Sequence, residues 1–259
     1  MGDRTGIEWT DATWNPVTGC TKVSTGCDHC YAATLAERRL RDLYLRRLPV
    51  VDTEENRGNP FAVRLWPERL NHPLNWSDPQ MIFVNSMSDL FHVDIPDDYV
   101  LAIFEVMLTA NWHIYQVLTK RPARAAKFWS RHSEALGLEV VPEHIWIGTS
   151  VENEEVLYRV RHLRGVKAAV RFLSCEPLIG PLGSLDLTDI HWVIGGGESG
   201  AGARPVDPSW ALELRDACVR AAVPFFWKQW GGRTPKTGGR LLEAREWNQY
   251  PPIAEELVA

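Results

Sequence analysis

The chain has 259 residues, 45% of them hydrophobic, and a formal net charge of −5 at pH 7. This length and apolar content are enough for one large core, so we expect a single domain over residues 1–259. The acidic balance argues against a surface built as a whole for non-specific nucleic-acid binding, although it does not exclude a local basic patch.

The sequence favours a protein without a membrane span or a secretory signal peptide. No apolar run approaches the ~18 residues of a membrane span, and residues 1–6 lack the apolar core of a signal peptide. The five cysteines are odd in number and clustered, which suits a reducing compartment. We therefore expect a cytoplasmic protein without membrane contact.

Two short extended pieces, residues 7–10 and 12–17, open the chain, and Pro16 excludes a long helix there. We predict the first strand of a sheet in this region. A loop-like segment follows at the end of that strand. It carries three cysteines with the spacing C-x6-C-x2-C: Cys20, Cys27 and Cys30.

Three thiolates on one loop are a natural ligand set for a soft metal centre. A structural zinc would add His29 or a distant fourth ligand, but the usual second C-x2-C or H-x3–5-H half is absent. A disulfide would leave one of the three cysteines over. A [4Fe–4S] cluster held by three cysteines would leave one iron open for an exogenous ligand. Ligand softness favours the cluster, and the residues alone leave zinc and free thiols open.

Residues 31–48 contain few helix breakers and five arginines, which predicts a helix with a basic face. Such a charge run is ordinarily a solvated surface, with a site for phosphate or an acidic partner as the alternative. The next stretch, at about residues 49–80, holds five prolines. We predict an irregular insertion or lid there, with a short helix near 67–70.

Apolar runs and helical segments alternate after residue 80. The predicted strands are 81–85, 112–118, 145–148, 169–173, 191–194 and 224–227, and the predicted helices are 97–108, 122–136, 152–163 and 208–222. Alternating elements of this kind favour a parallel sheet. The predicted fold is therefore α/β, a full or partial (β/α) barrel of parallel strands.

Polar or small residues follow almost every predicted strand. In barrels of this kind the site forms at the carboxyl ends of the strands. Each residue also has a plain structural explanation, such as packing for Cys175, solvation for Lys120 or a simple turn for the glycines. Their convergence on one face predicts a site. The candidates, in chain order, are Ser86, Asp89, Lys120, Thr149, Ser150, Asn153, Cys175, Glu176, Gly196, Gly197 and Glu198.

The glycine run at 195–197 allows backbone to approach a ligand closely and to expose its N–H groups. Glu198, directly after it, could accept hydrogen bonds from an ammonium group. A phosphate loop would end in Gly-Lys-Ser/Thr, which is absent. The run therefore favours an amino acid-like ligand.

Three cysteines after the first strand, with Tyr31 after the third, resemble the radical S-adenosylmethionine (SAM) superfamily, whose common motif is C-x3-C-x2-C. The first gap is longer here. The whole chain resembles more closely a phage and prophage protein family with a three-cysteine motif. The shared phrases lie between about residues 7 and 230: Ile7-Glu8-Trp9-Thr10, Trp14-Asn15-Pro16, Gly19-Cys20, Cys27-x2-Cys30-Tyr31, Leu118-Thr119-Lys120-Arg121-Pro122, Gly148-Thr149-Ser150-Val151-Glu152-Asn153, Ser174-Cys175-Glu176-Pro177-Leu178 and Gly195-Gly196-Gly197-Glu198-Ser199.

The resemblance implies a radical SAM-like fold in which Cys20, Cys27 and Cys30 bind the [4Fe–4S] cluster. SAM would chelate the open iron through its amino and carboxylate groups. One electron from a flavodoxin- or ferredoxin-like reductant would cleave it to methionine and a 5′-deoxyadenosyl radical. The phage association suggests nucleic acid or a nucleobase as the substrate, and a partner protein is a further expectation.

The same resemblance assigns roles to the strand-end residues. The superfamily's Gly-Gly-Glu motif, which contacts the SAM amino group, usually follows the second strand. This chain has Ser86 to Asp89 at that position, and its own Gly196-Gly197-Glu198 comes late. The resemblance implies that one of these two runs contacts SAM. Cys175, beside Glu176, could return a hydrogen atom to a product radical, and Lys120 is a further catalytic candidate. The predicted contacts to the SAM ribose and carboxylate are Thr149, Ser150 and Asn153.

The residues leave two other functions open. A zinc-stabilised nucleic-acid-binding protein without catalysis would contain zinc and be colourless. An iron–sulfur electron-transfer protein would hold a cluster without cleaving SAM.

Overall fold

A computed structural model describes residues 5–234 and 237–253 of the chain. Residues 1–4, part of the segment that lacks a signal-peptide core, lie outside the described residues.

The strands are β1 (Ala12–Trp14), β2 (Val17–Thr18), β3 (Arg64–Leu65), β4 (Met81–Val84), β5 (Ile114–Thr119), β6 (Val141–Ser150), β7 (Ala168–Cys175), β8 (Trp192–Gly195) and β9 (Phe225–Trp227). The helices are α1 (Tyr31–Arg38), α2 (Arg41–Leu45), α3 (Glu54–Gly58), α4 (Asp97–Thr109), α5 (Pro122–His132), α6 (Tyr158–Arg164) and α7 (Pro208–Ala221), with 3₁₀ turns at Thr25–Cys27, Pro67–Arg69, Pro73–Asn75 and Glu154–Val156.

Seven of these strands form one sheet in the order β1-β4-β5-β6-β7-β8-β9. Every neighbouring pair is parallel. This confirms the predicted α/β fold, with one strand near the cysteines and six later ones. Among the described residues β1 and β9 do not pair with each other, so the sheet is a partial barrel.

The sheet curls strongly. Trp9, just before β1, contacts Trp192 on β8 with ring centroids 6.2 Å apart. The two strands are five positions apart in the sheet, which would be about 24 Å if the sheet were flat. The concave face is therefore lined by an aromatic cluster that includes Trp9, Trp146, Phe172 and Trp192. The larger apolar core lies on the convex face, between the sheet and its helices.

The predicted helix over 31–48 is wrong in one respect, because the structure divides it into α1 and α2. The N–H groups of Arg39 and Leu40 both donate to the Leu35 carbonyl, which ends α1. Tyr44 then packs its ring against Trp66, with centroids 5.7 Å apart. A long-range aromatic contact thus sets the direction of α2.

Residues 49–80, the stretch predicted as an insertion and called the insertion below, carry α3, β3 and two 3₁₀ turns. Strand β3 pairs antiparallel with β2, and Trp66 Nε1 donates to Thr18 Oγ1 at 2.8 Å. The fully buried Arg64 donates to four backbone carbonyls and holds the segment together. The insertion therefore braces the chain just before the cysteines.

Smaller differences concern boundaries. Strand β6 begins four residues before the predicted start, since Val141 pairs with Ala168 of β7 although polar residues follow it. The predicted helix over 152–163 begins instead as a 3₁₀ turn, and α6 starts at Tyr158. None of the helices in the described part of the chain combines the length and apolar character that crossing a bilayer requires.

We expect Trp192→Ala to lower the free energy of unfolding by about 3–5 kcal/mol, because a large buried ring is lost from the concave cluster. Trp192 is fully buried and packs against Trp146 at 5.5 Å and Phe172 at 5.7 Å. Urea unfolding measures the change. The exposed Val219, replaced by alanine, serves as the control and should change stability by at most about 0.5 kcal/mol. Equal effects of the two changes would contradict the packing described.

Candidate functional site

The cysteine loop, residues 19–30, begins after β2 and runs over the carboxyl edge of the sheet. Its first residues are fixed by backbone bonds, from Gly19 N to Met87 O at 2.9 Å and from Cys20 N to Phe61 O at 3.0 Å. Gly19 has φ +89°, and a Cβ there would lie 2.2 Å from the Ala62 carbonyl oxygen. Glycine is therefore required where the loop leaves the sheet.

Three buried carboxylates stand at the carboxyl ends of β4, β6 and β8: Asp89, Glu152 and Glu198. Their side chains are 7%, 1% and 4% exposed. Each is paired with an arginine: Arg121 at 3.1 Å, Arg159 at 2.9 Å and Arg204 at 2.6 Å, respectively. A buried carboxylate stays ionised only with partners of this kind. Each pair also contacts the cysteine loop.

The first pair holds the start of the loop. Asp89 accepts hydrogen bonds from Thr119 Oγ1 at 2.7 Å and from Lys120 N at 2.9 Å, which ties the ends of β4 and β5 together. Arg121 reaches from Asp89 to Cys20 Sγ at 3.4 Å and to the Thr21 carbonyl at 3.0 Å. Burial raises the pKa of the Cys20 thiol to about 11, and Asp89 adds to this effect while Arg121 opposes it.

The second pair supports the middle of the loop. Glu152 accepts from Lys120 Nζ, from Arg159 and from Ser24 Oγ at 3.3 Å. A Cβ on Gly26 would lie 2.5 Å from Glu152 Cγ, so the loop backbone rests directly on this side chain. Burial raises the pKa of Glu152, but the charges of Lys120 and Arg159 outweigh it and lower that pKa overall.

The third pair holds the end of the loop. Glu198 accepts from Arg204 through the backbone N–H and two guanidinium nitrogens, and it contacts His29 Nδ1 at 2.8 Å. Arg204 also donates to the Thr25 carbonyl at 3.0 Å. Burial raises the pKa of Glu198, but the bonds from Arg204 and His29 outweigh it and lower the pKa to about 2.

These contacts change two interpretations from the sequence. Glu198 is not a free acceptor for a ligand ammonium, because Arg204 and His29 already contact its carboxylate oxygens. The N–H groups of Gly196 and Gly197 donate to Cys175 O at 3.2 Å and Gln229 O at 2.8 Å. The expectation that the glycine run presents them to a ligand is therefore wrong. A Cβ on Gly197 would lie 2.0 Å from the Trp230 carbonyl oxygen, so close packing explains that glycine.

Strand alternation decides which candidates face the concave side. Along β7, Phe172 belongs to the concave cluster, whereas Leu173 and Cys175 belong to the convex core. Cys175 is fully buried near Cys218 of α7, and burial raises its pKa well above the ordinary value. The structure therefore does not support Cys175 as a hydrogen donor to a radical at the site. It packs as a small apolar residue instead.

Thr149 is also turned away from the concave side. Its neighbours in alternate positions, Ile147 and Val151, belong to the convex core, and its Oγ1 donates to the Thr119 carbonyl at 2.8 Å. Ser150, one residue on, falls on the opposite face by the same alternation. The structure thus separates two residues that the sequence grouped together.

The remaining candidates lie at the carboxyl edge. Ser86 exchanges hydrogen bonds with the Asn15 side chain, and its carbonyl accepts from Tyr31 Oη. Glu176, half-buried, pairs with Lys228 at the end of β9. Asn153 Oδ1 is buried without a hydrogen-bond partner among the described residues. Their roles as SAM contacts or catalytic groups stay predictions.

The cysteines are all free thiols, and the three of the loop are half-buried. Across the described residues, no three histidine, cysteine or acidic side chains converge to hold a single metal ion. A cluster presents several irons, each of which takes its own thiolate, so its ligands need not meet at one point. The three thiols are soft donors on one loop that the ion pairs hold in place, and Cys20 accepts a hydrogen bond from Arg121. Thiolates of this kind fit an iron–sulfur cluster.

Two arginines of the site, Arg159 and Arg204, were not predicted from the sequence. Arg159 lies seven residues after Glu152, on a predicted helix rich in other basic residues. Arg204 lies six residues after Glu198 in a glycine-rich segment. The signal available in the sequence was a basic residue that follows a strand-end acid after about two helical turns or one loop. This signal is weak.

Comparison with protein families places residues 4–251 in the family described as "Protein of unknown function (DUF5131)". The match spans nearly the whole chain, so the chain belongs to this family. No curated protein matches it. A solved structure that resembles it is "Spore photoproduct lyase complexed with dinucleoside spore photoproduct", with 13% identity and a TM-score of 0.42. The alignment covers 72% of this chain and 55% of that one.

We expect the stability of the protein to fall in acid partly through Glu198. Folding lowers its pKa from 4.5 to about 2, so the ionised group stabilises the fold above pH 4.5 and loses this effect as the pH falls toward 2. Glu198→Gln should therefore be less stable than wild type at neutral pH, and the gap should narrow in acid. Urea unfolding across a pH series measures this, with the exposed Glu134→Gln as the control. A gap independent of pH would contradict the assignment.

Proposed function

We propose that this member of the DUF5131 family is an iron–sulfur enzyme of the radical SAM type. Cys20, Cys27 and Cys30 would hold a [4Fe–4S] cluster whose open iron takes SAM. One observation carries the proposal: three free, half-buried thiols lie on a loop that three buried acid–arginine pairs brace across the carboxyl edge of a curled parallel sheet. Parallel barrels place their chemistry at this edge.

When bound, the cluster and SAM would supply one-electron cleavage of SAM to methionine and a 5′-deoxyadenosyl radical. The chain's own residues position and shield them. Arg121 donates to Cys20 Sγ and so offsets the negative charge of a coordinating thiolate. Glu152 keeps the middle of the loop in place beneath it, which fixes the distance between the loop and the sheet.

The predicted SAM contacts are residues at the carboxyl ends of strands, and one of them has a side-chain oxygen without a hydrogen-bond partner among the described residues. Asn153 Oδ1 is buried and has no partner among the described residues, so we assign it as an acceptor for a ligand hydroxyl or amine. Ser86 and Ser150 lie at the carboxyl ends of β4 and β6. Glu176 and Lys120 are held in ion pairs and would supply charge at the substrate's side of the site.

An electron must come from outside, because no second redox group is part of the proposal. We assign this role to a flavodoxin- or ferredoxin-like protein. A reducing compartment, the cytoplasm, belongs to the same proposal, since all five cysteines are free thiols. A further partner protein is not required by the site as described.

One contact favours the second candidate, a zinc-stabilised protein without catalysis. His29 lies between Cys27 and Cys30, and its Nδ1 contacts the carboxylate of Glu198 at 2.8 Å. A carboxylate behind a histidine is a common way to orient a zinc ligand. Zinc would then use Cys27, His29, Cys30 and Cys20, whereas the cluster uses the thiols alone.

Anaerobic reconstitution should load about four irons and four sulfides per chain. We expect Cys27→Ala to lose the cluster, because three thiolates are its protein ligands. Cys218→Ala, which removes a buried thiol of the convex core, should retain it. Iron and sulfide analysis with the visible absorption spectrum measures both. Equal iron content in the two variants would contradict the ligand assignment.

The His29→Ala variant separates the two candidates. Under the cluster proposal it retains nearly all of its iron after reconstitution, because His29 ligates nothing. Under the zinc alternative it loses most of the zinc of the purified protein. Elemental analysis of the wild type and the variant, each before and after reconstitution, distinguishes these results. The conservative Glu198→Gln tests the contact between the Glu198 carboxylate and His29 Nδ1.

A further inference from the structure

A basic groove borders the cysteine loop. It has a volume of about 580 Å³, is lined by residues of α5 and α6, and includes Val23 of the cysteine loop in its lining. Asp97 is its single lining carboxylate among the described residues. Its lining cations are Lys120, Arg121, Arg124, Lys127 and Arg131. Such a concentration of positive charge is unusual in a chain whose net charge is −5.

The cations of the groove divide into two groups. Lys120, Arg121 and Arg124 have acidic partners within the fold, namely Glu152, Asp89 and Asp97. Lys127 and Arg131 are exposed, and neither makes an ion pair with any described residue. Their charge is therefore available to a ligand, whereas that of the first group is largely neutralised.

The geometry of α5 arranges these charges in a row. Arg124, Lys127 and Arg131 stand at positions i, i+3 and i+7, which share one face of a helix. They cover about 10 Å along its axis. A nucleic-acid strand carries one negative charge at each nucleotide, so such a row can follow consecutive phosphates.

An exposed aromatic residue faces the same groove. Tyr158, at the start of α6, is 52% exposed and forms an edge contact with His162, with ring centroids 6.0 Å apart. Both residues line the groove. Grooves that bind single strands combine tracking cations with aromatic side chains on which bases stack. An acidic peptide would use the cations but would leave Tyr158 without a stacking partner.

We infer that this groove binds single-stranded nucleic acid and leads it to the candidate site. The backbone phosphates would contact Lys127 and Arg131, and a base would stack on Tyr158. Val23 belongs to both the groove and the cysteine loop, so a strand in the groove passes beside the proposed cluster. This inference rests on the proposed function, because it names the substrate class of that enzyme.

The test measures fluorescence anisotropy of a labelled single-stranded DNA of about 12 nucleotides, titrated with full-length protein before and after cluster reconstitution. We expect K127E/R131E to weaken binding by about tenfold or more. Two lost phosphate contacts at about 0.7 each should lower the slope of log affinity against log salt by about 1.4. Tyr158→Ala should weaken binding by about tenfold, and Tyr158→Phe should stay within about twofold, because the ring is kept.

The matched control is K167E/R220E, which makes the same change in net charge. Lys167 precedes β7 and Arg220 lies near the end of α7, so both are at the opposite edge of the sheet. This control should change the affinity by less than about twofold. Circular dichroism and thermal unfolding of each variant verify that it folds.

Three results would overturn the inference: no binding by the wild type, equal weakening by the two double variants, or a poly-glutamate peptide of matched charge that binds as tightly as the oligonucleotide. None of them bears on the cluster. The iron content of K127E/R131E after reconstitution is measured separately. A failure of the proposed function would appear there, and in the wild type, as a missing cluster.

Discussion

Burial of three carboxylates at one edge of the sheet is the constraint on which the rest of the site depends. A buried carboxylate without a cationic partner is costly, and each of Asp89, Glu152 and Glu198 has an arginine within hydrogen-bond reach. Because these pairs also bond the cysteine loop, the loop is held near its beginning, middle and end. Ion pairing therefore helps to fix the position of the loop over the sheet.

This arrangement links distant parts of the chain. The carboxylates follow β4, β6 and β8, and the curl of the sheet brings those strand ends beneath a single short loop. The curl in turn depends on the concave aromatic cluster, in which Trp9 meets Trp192 across the sheet. The insertion braces the loop from the other side through Phe61 and Ala62. The position of the thiols therefore depends both on packing of the concave face and on ion pairing at its edge.

Much of the fold could be predicted from the sequence, because buried parallel strands appear as short apolar runs such as Met81–Val84. The first residues of β6 could not, since Pro142 and Glu143 carry no apolar signal and enter the strand through sheet pairing. The division between α1 and α2 depends on the contact of Tyr44 with Trp66, which local propensity does not contain.

The candidate site was predictable in part. Cysteine spacing located the loop, and strand ends located Asp89 and Lys120. Whether a strand-end residue faces the concave or the convex side depends on register, and a shift of one residue reverses it. For this reason Thr149 and Cys175 were grouped with Ser150 and Glu176, although the fold turns them away. The sequence carried only a weak signal for Arg159 and Arg204, and the structure identifies them as the partners of the buried acids.

The central claim is that the loop holds a cluster with an iron open to SAM, and electron paramagnetic resonance of the reduced, anaerobically reconstituted protein tests it most directly. We expect a reduced-cluster signal whose shape changes when SAM is added, because SAM would become a ligand of the open iron. A protein that takes up no iron and contains one tightly bound zinc would contradict it, as would a cluster signal that SAM leaves unchanged.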